Sequence, residues 1–558
     1  MRMNKKVLAA ILAATTVLST AGCGNMAEHG DAGTSTAASE TGSAASEVGG
    51  AGVGEAPAAG GQVIIGAQTD VVTLDPGRCY EPYANLILRA CYDTLYEFQT
   101  GVDGAQPSLA TGCTFSEDGL TATVTIREDA VFASGNPVTA EDVKFSIMRC
   151  KYLKDNPSFI CDGIESIDVI DDYTVQFHLN APDSSFTAKL AYASTSILDS
   201  KLAKEQGATD AEDAATADTA KDFFDGGESL GSGPFKLETY TPDEEFVMVK
   251  NENYYDETTS VDKYVIKEMD DANAQMMALT QGDIQIALNL NADTSEELES
   301  AEGVELLSSP TMTMGFVYMN MDESLGGPVS DPKVQEAIRL AIDYAGIQQI
   351  VGEGSVTPVS YVQKGLLGAA DPRDTSYTDV EKAKELMAEA GYADGFEIDF
   401  PCCTLAPEGI PLTDIAQKLA ADLSAIGIKM NIQTQDWTGG YSDGYRNGTL
   451  GFSVMYWSPD YLDPNAELEF LPGGVVGLRA GWTGEMDPEL AEMKAQIVSE
   501  MDTEKRVELL KKMQEKTAEY GPFIPIVQYP KYIGTTEALD HVVFSDSYRL
   551  DLTAIDWK

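Results

Sequence analysis

Hydrophobic and polar positions along the chain follow two different periods. Thr121-Ala122-Thr123-Val124-Thr125-Ile126 alternates polar and apolar residues after a Glu117-Asp118-Gly119 turn, which predicts a half-buried strand. Tyr173 to Leu179 alternates in the same way, and Gln62 to Ala67 reads as a first strand. Leu412, Ile415, Ala416, Leu419, Leu423 and Ile426 instead recur at helical spacing until Gly427, and a strand from Ile428 to Thr434 is expected directly after it. Thr378-Asp379-Val380-Glu381 predicts a capping box opening a helix that stops at Gly391. Met312, Met314, Met319 and Met321 flank Phe316 and Tyr318 in an apolar stretch, read as a core strand in which methionine fills gaps. Helices and strands alternate irregularly, with no repeat of fixed period, so the fold class is mixed α/β.

The amino-terminal pattern is of another kind. Arg2, Lys5 and Lys6 precede an apolar run from Val7 to Leu18, shorter than the roughly 20 residues a membrane span needs. The run closes on Ser19-Thr20-Ala21-Gly22-Cys23, which resembles a bacterial lipoprotein signal with Thr20 in place of the usual Leu. That resemblance implies removal of residues 1–22 and a lipid on Cys23. Residues 23–61, dominated by Gly, Ala, Ser, Thr and Glu and lacking aromatics, bury too little apolar surface to order and are expected to form a flexible tether. The expected location is extracytoplasmic, on the outer face of the membrane in a Gram-positive-type bacterium and periplasmic otherwise.

Composition narrows the function classes. The 558 residues suffice for several domains, and 43% apolar content allows sizeable cores. Ninety Asp and Glu against 37 Lys and Arg give a formal charge of −53. Nucleic acid is therefore excluded as a partner, and a peripheral hold on anionic lipid is disfavoured, because both need clustered cations. Seven cysteines follow Cys23, so at least one is unpaired within a monomer, and no Cys-x-x-Cys pair points to zinc or redox chemistry. With only His29, His178 and His541, no metal site and no cofactor is expected. Gly227-Glu228-Ser229-Leu230-Gly231 fits a hydrolase nucleophile pattern with His541 downstream as a conceivable base, but Gly231-Ser232-Gly233-Pro234 would break the helix that this motif requires. Ser229 is read as a turn residue, and no enzyme is expected. Asp210, Glu212, Asp213, Asp218 and Asp222 lack calcium-loop spacing and read as a solvated face.

One segment is more specific. Ile126-Arg127-Glu128-Asp129-Ala130-Val131-Phe132-Ala133-Ser134-Gly135-Asn136-Pro137-Val138-Thr139-Ala140-Glu141-Asp142-Val143-Lys144-Phe145-Ser146 reads as a strand, a Gly-Asn-Pro turn and a helix capped by Thr139 with Asp142 three residues on. It closely resembles the signature of family 5 extracellular solute-binding proteins, the peptide and nickel group of ABC-importer receptors. Gly231-Ser232-Gly233-Pro234-Phe235, Asn251 to Tyr255, Ala278 to Ile284, Val334 to Asp343 and Lys382 to Tyr392 match further family stretches in order, so the resemblance covers Gln62 to Lys558.

The resemblance implies a two-lobed periplasmic-binding-protein-like clamshell (type II, cluster C-like) with an extra domain inserted in the first lobe. Mapped onto this chain, lobe one is 62–95 plus 231–310 plus 526–558, the inserted domain is 96–230, and lobe two is 311–525. The implied function is capture of an extracellular solute, short peptides being favoured, by lobe closure and delivery to an ABC permease with its ATPases. Implied alternatives are an oligosaccharide, a metal chelate or a peptide signal. In peptide-binding members a Trp-x-x-Asp lets the Asp pair with the ligand's α-ammonium group, and Trp457 and Asp460 match it. Trp437 matches an aromatic position, and Tyr461, Tyr80 and Glu81 are further cleft candidates. Long-peptide receptors can carry an Arg three residues before that Trp; Val454 stands there, and Arg446 is the nearest basic candidate. A monomer is expected.

Overall fold

In the computed structural model the described residues are 61–69, 71–99, 101–102 and 104–558; the expected signal, Cys23 and all but the last residue of the tether lie outside them. A ten-stranded sheet is the frame. Its order is Ile428–Gln435, Phe396–Cys403, Phe452–Trp457, Val304–Met319, Phe523–Thr536, Ile286–Leu290, Gly61–Ala67, Val261–Glu268, Glu245–Lys250, Phe235–Thr241. The first three are parallel to one another, as are the Ile286–Leu290, Gly61–Ala67 and Val261–Glu268 strands, and the remaining pairings are antiparallel.

Two long strands join the halves of this sheet. Val304–Met319 and Phe523–Thr536 pair from Val304↔Thr536 to Tyr318↔Phe523, with a register shift between Pro310 and Met314. Pro310 faces Pro530 at that shift, and neither has an N–H to give to the ladder. The pairing therefore loosens there, and Thr311 caps the gap by donating its hydroxyl to the Tyr529 carbonyl at 3.0 Å.

Apolar side chains collect on both sides of the shift. One core is built from residues between 312 and 529, including Phe316, Tyr344, Leu419, Val454 and Trp482. A second joins Val63, Ile65, Ile87, Tyr264 and Leu550, and Leu198, Ala203, Ala208, Ala220 and Phe224 pack into it as well. A third lies between residues 95 and 197, on a separate antiparallel sheet of order Ala110–Phe115, Thr121–Ile126, Thr174–Leu179, Ile164–Asp171. A small fourth cluster gathers Leu279, Ile284 and Leu298.

Local readings hold at most of these elements. Thr121–Ile126 and Thr174–Leu179 turn alternate side chains inward, and the helix Leu412–Ser424 buries Leu412, Ile415, Ala416, Leu419 and Leu423. Gly427, at φ 83°, makes the turn into the next strand, where any Cβ would be strained. Met314 and Met319 are fully buried, as a core strand requires.

Two expectations are corrected. The helix Val380–Glu389 is capped by Asp379, whose carboxylate accepts from the Lys382 N–H at 2.9 Å, while Thr378 bonds the Ile342 carbonyl instead. Asp is the better cap here because its short carboxylate reaches the free N–H, and Thr378 is drawn off by a tertiary partner. Asp218 is not part of a solvated face: its side chain is fully buried against Arg149, at 2.8 and 3.0 Å.

Candidate ligand-binding site

A cavity of about 330 Å³ opens where the two larger cores meet. Tyr80 and Glu81 enter it from the loop leading into the helix Pro82–Cys91. Glu81 holds the extended N-cap conformation, and Pro82 suits the first turn because its missing N–H would have no partner there. Asn85, one turn on, also faces the cavity. Across from them runs Ser458 to Leu462, the loop that leaves the strand Phe452–Trp457. Thr311, Met312 and Thr313 contribute from the loosened stretch of the long strand, Glu408 from the turn Pro407–Gly409, and Asp546 and Arg549 from a C-terminal hairpin in which Phe544–Ser545 pairs with Arg549–Leu550.

Two polar contacts cross the cavity. The Tyr80 hydroxyl donates to the Asp460 carboxylate, linking segments 380 residues apart. Burial raises the Asp460 carboxyl above its ordinary range, and the Tyr80 hydrogen bond only partly opposes this. Burial and the charge of Asp460 likewise raise the Tyr80 phenol. The second contact sets Arg549 3.6 Å from Glu408. Burial opposes ionisation of Glu408, but Arg549, Lys531 and a 2.9 Å hydrogen bond from Thr313 outweigh it and hold the carboxyl below its usual value. Thr313 also lies 3.1 Å from the Ser458 hydroxyl, which ties the turn to the Asp460 loop. Asp546 is exposed at the cavity wall, and desolvation by the protein around it pushes its carboxyl up to about 7, against the pull of Arg549.

The structure brings together four of the residues singled out from sequence, Asp460, Tyr461, Tyr80 and Glu81. Trp457 lies outside the cavity lining. Its indole N–H goes to Glu467 at 3.2 Å and its ring meets Phe470 edge-on, with centroids 5.5 Å apart. Glu467 is completely buried, and burial drives its carboxyl well above its ordinary value, against the hydrogen bond from Trp457. Trp437 and Arg446 pack on each other, guanidinium 5.6 Å from the ring centroid, and neither is in the lining. Val454 is core.

Sequence reading did not single out Glu408, Asp546, Arg549, Thr313 or Tyr192. Pro407-Glu408-Gly409 and Asp546-Ser547-Tyr548-Arg549 carry no motif, and only the tertiary fold carries them to the cavity. Met312, read as a core residue, is buried and also lines the wall. The arrangement has the chemistry of recognition: carboxylates for a cation, one guanidinium for an anion and apolar rings between. Ser229 lies elsewhere, its hydroxyl accepting the Leu237 N–H at 3.3 Å, and a strand rather than a helix follows it. Cβ atoms at Gly231 or Gly233 would collide with the backbone at Cys91, so these glycines serve close packing. Among the described residues no group of His, Cys, Asp and Glu is arranged to hold a metal, and no helix is long and apolar enough to cross a membrane.

The model for bacterial extracellular solute-binding proteins, family 5 (middle region), matches residues 104–475, well over half of the chain. The chain belongs to the family 5 extracellular solute-binding proteins. It is thus the substrate-binding part of an ABC transporter, acts outside the cytoplasm and is not an enzyme. The heme-binding protein A of Haemophilus influenzae is 27% identical over 458 residues, covering 78% of this chain and 81% of that protein. The dipeptide-binding protein of Escherichia coli is 27% identical over 396 residues, or 67% and 71% of the two chains. In fold, HbpA2 from Haemophilus parasuis superposes with a TM-score of 0.78 at 22% identity, covering 89% of this chain and all of that one. The family 5 fold is mixed α/β, of the cluster C periplasmic-binding type.

Proposed function

We propose that this family 5 protein captures short peptides, its Asp460 carboxylate pairing with the ligand's α-ammonium group. The observation that carries the reading is the position of Asp460: a partly desolvated carboxylate in a cavity between two cores, reached from the far side by Tyr80. Such a carboxylate is costly when alone and gains most from a cation delivered with the ligand. The volume of about 330 Å³ falls at the lower end of the range for small-ligand sites. The E. coli relative named for dipeptides favours the same class.

In this proposal lobe one (62–95, 231–310, 526–558), carrying the inserted domain (96–230), moves against lobe two (311–525) about the proline-marked shift at Pro310 and Pro530. Ligand binding selects the closed form, which docks on the permease. Signal removal before Cys23 and a lipid on that residue would hold the protein at the membrane.

Native mass spectrometry of the purified protein is the test. A co-purifying peptide, lost from a folded Asp460→Asn variant, is expected; the affinity of an identified peptide should fall by about tenfold or more. Unchanged affinity in Asp460→Asn would sink the ammonium assignment, and a co-purifying sugar would sink the peptide reading.

A further inference from the structure

We propose that Ser184 and a polar socket made by Ile497, Val498, Asn465 and Arg506 form a latch that holds the closed form and sets how long a bound peptide stays. The latch rests on the lobe division proposed above, in which the inserted domain (96–230) moves against lobe two (311–525), and it regulates the site that the peptide reading assigns.

Ser184 reaches across the gap with all three of its polar groups. Its N–H donates to the Val498 carbonyl at 2.9 Å and its hydroxyl to the Ile497 carbonyl at 3.0 Å. Its own carbonyl accepts from Arg506 at 3.4 Å, and the Asn465 amide donates to its hydroxyl at 3.1 Å. Four hydrogen bonds thus converge on one residue, from partners of which the nearest lies 281 positions along the chain.

Both faces of the contact have a local reason. Ile497 and Val498 close the helix Pro488–Ser499, and carbonyls in the last turn of a helix have no partner inside it. Ser184 supplies that partner from another part of the chain. Arg506, on the helix Thr503–Thr517, is buried and gives one N–H to Asp463 at 2.9 Å and another to the Asn465 Oδ1 at 2.8 Å. With its oxygen so engaged, the Asn465 amide turns its NH2 toward Ser184. On the opposite face, Asp183 accepts from the Ser185 N–H at 2.9 Å and from Lys189 at 2.6 Å. Ser185 is buried, and Phe186 packs into the third core, so Ser184 stands at the tip of a braced loop.

The latch is continuous with the cavity. Asp463, which Arg506 holds, donates its N–H to the Tyr461 carbonyl at 2.8 Å, and Tyr461 lines the cavity beside Asp460. Lys189 lies 5.1 Å from the Tyr461 ring centroid and is tied through Asp183 to the loop of Ser184. The stretch 460–465 is therefore gripped at three places: Asp460 by Tyr80, Tyr461 by Lys189 and Asn465 by Ser184. A ligand seated on Asp460 orders the same stretch that the latch holds, so each favours the other. Bonds made only after the lobes meet slow release and leave capture unchanged.

The test begins with rates. Uptake and release of radiolabelled dipeptide Ala-Leu are followed on the whole protein. Ser184→Ala, which removes two of the four bonds, is expected to speed release by about threefold to tenfold with uptake unchanged. Unchanged release, or an uptake rate that changes as much as release, overturns the proposal. A second arm needs no peptide. In ligand-stripped protein carrying Ser184→Cys and Asn465→Cys, oxidised glutathione should link the two positions, as read by peptide mapping under non-reducing conditions. The linked protein should scatter X-rays as a more compact particle than its reduced form. Absence of the link, or equal radii of gyration before and after reduction, overturns the latch. If Ala-Leu fails to bind the unaltered protein, the peptide reading falls while the scattering arm still decides the latch.

Discussion

Two arginines in this protein face carboxylates under opposite conditions. Arg149 reaches both oxygens of Asp75 at 2.7 Å and both of Asp218 at 2.8 and 3.0 Å, with all three side chains essentially inaccessible. Arg549 meets Glu408 at 3.6 Å, with 22% of its side chain exposed at a cavity wall. The first arrangement uses up the guanidinium fork and clips the helix Ala140–Leu153 to the loop at Asp75. The second holds its charges at a cavity wall, where 15% of the Glu408 side chain stays exposed as well. The difference between the two pairs is one of burial as well as separation.

The sharpest way to break this contrast is to remove the cation from each pair. Arg149→Met would strand Asp75 and Asp218 without their main partner, although Arg78 stays within 3.3 Å of Asp75 and 3.4 Å of Asp218. A loss of about 3–5 kcal/mol is expected for an uncompensated buried charge, with Arg78 keeping it toward the lower end. Arg549→Gln should cost less, about 1–3 kcal/mol, because both side chains of the pair keep part of their surface exposed and Lys531 still lowers the Glu408 carboxyl. Denaturant unfolding of both variants measures this, and equal losses would end the distinction.

Asp546 sharpens the comparison from the pH axis. Its carboxyl is pushed up to about 7 by burial, whereas an unfolded Asp titrates near about 4. The folded chain therefore binds the extra proton between those values, and this group's contribution to stability falls as pH rises from about 4 to 7. Asp546→Asn should flatten that part of the stability profile, raising stability at pH 7 more than at pH 4. The change is smaller than a wholly enclosed carboxyl would give, because Asp546 is exposed. Chemical unfolding across the pH range reads the slope, and an unchanged slope would mean that Asp546 titrates as a solvated group.

The two arginines also mark where sequence reading succeeds and where it stops. Alternation at Thr121–Ile126, helical spacing at Leu412–Ser424 and the Thr139–Asp142 pairing, with the Asp142 carboxylate 2.9 Å from the Thr139 N–H, are local patterns, and local patterns survive in the fold. The Asp460 loop was legible because it follows a recognisable strand in a family motif. Arg549 and Glu408 were not, since each is a single polar residue in a short turn and 141 positions separate them. Asp218 misled for the same reason: surrounded in sequence by acidic residues, it acquires Arg149 only through tertiary packing. Trp457 was legible as a motif residue, but the direction of its indole is set by Glu467, a buried acid ten positions on.

The smallest effect is expected at a pair whose separation is shorter than that of Arg549 and Glu408. Lys263 lies 3.3 Å from Glu238, across the strand Glu245–Lys250 that separates theirs, with 36% and 50% of the side chains exposed. Water solvates both charges whether or not they meet, and ordering two long side chains offsets part of the attraction. Lys263→Met should therefore change stability by less than about 0.5 kcal/mol, and added salt should shrink even that. If separation alone set the strength of these pairs, this one would outrank Arg549 with Glu408 and approach Arg149 with Asp75. A loss above about 1 kcal/mol on denaturant unfolding would show that distance governs them, and the ordering by burial would fail. A loss within the smaller limit leaves burial as the controlling variable: complete at Arg149, partial at the cavity, nearly absent at Lys263.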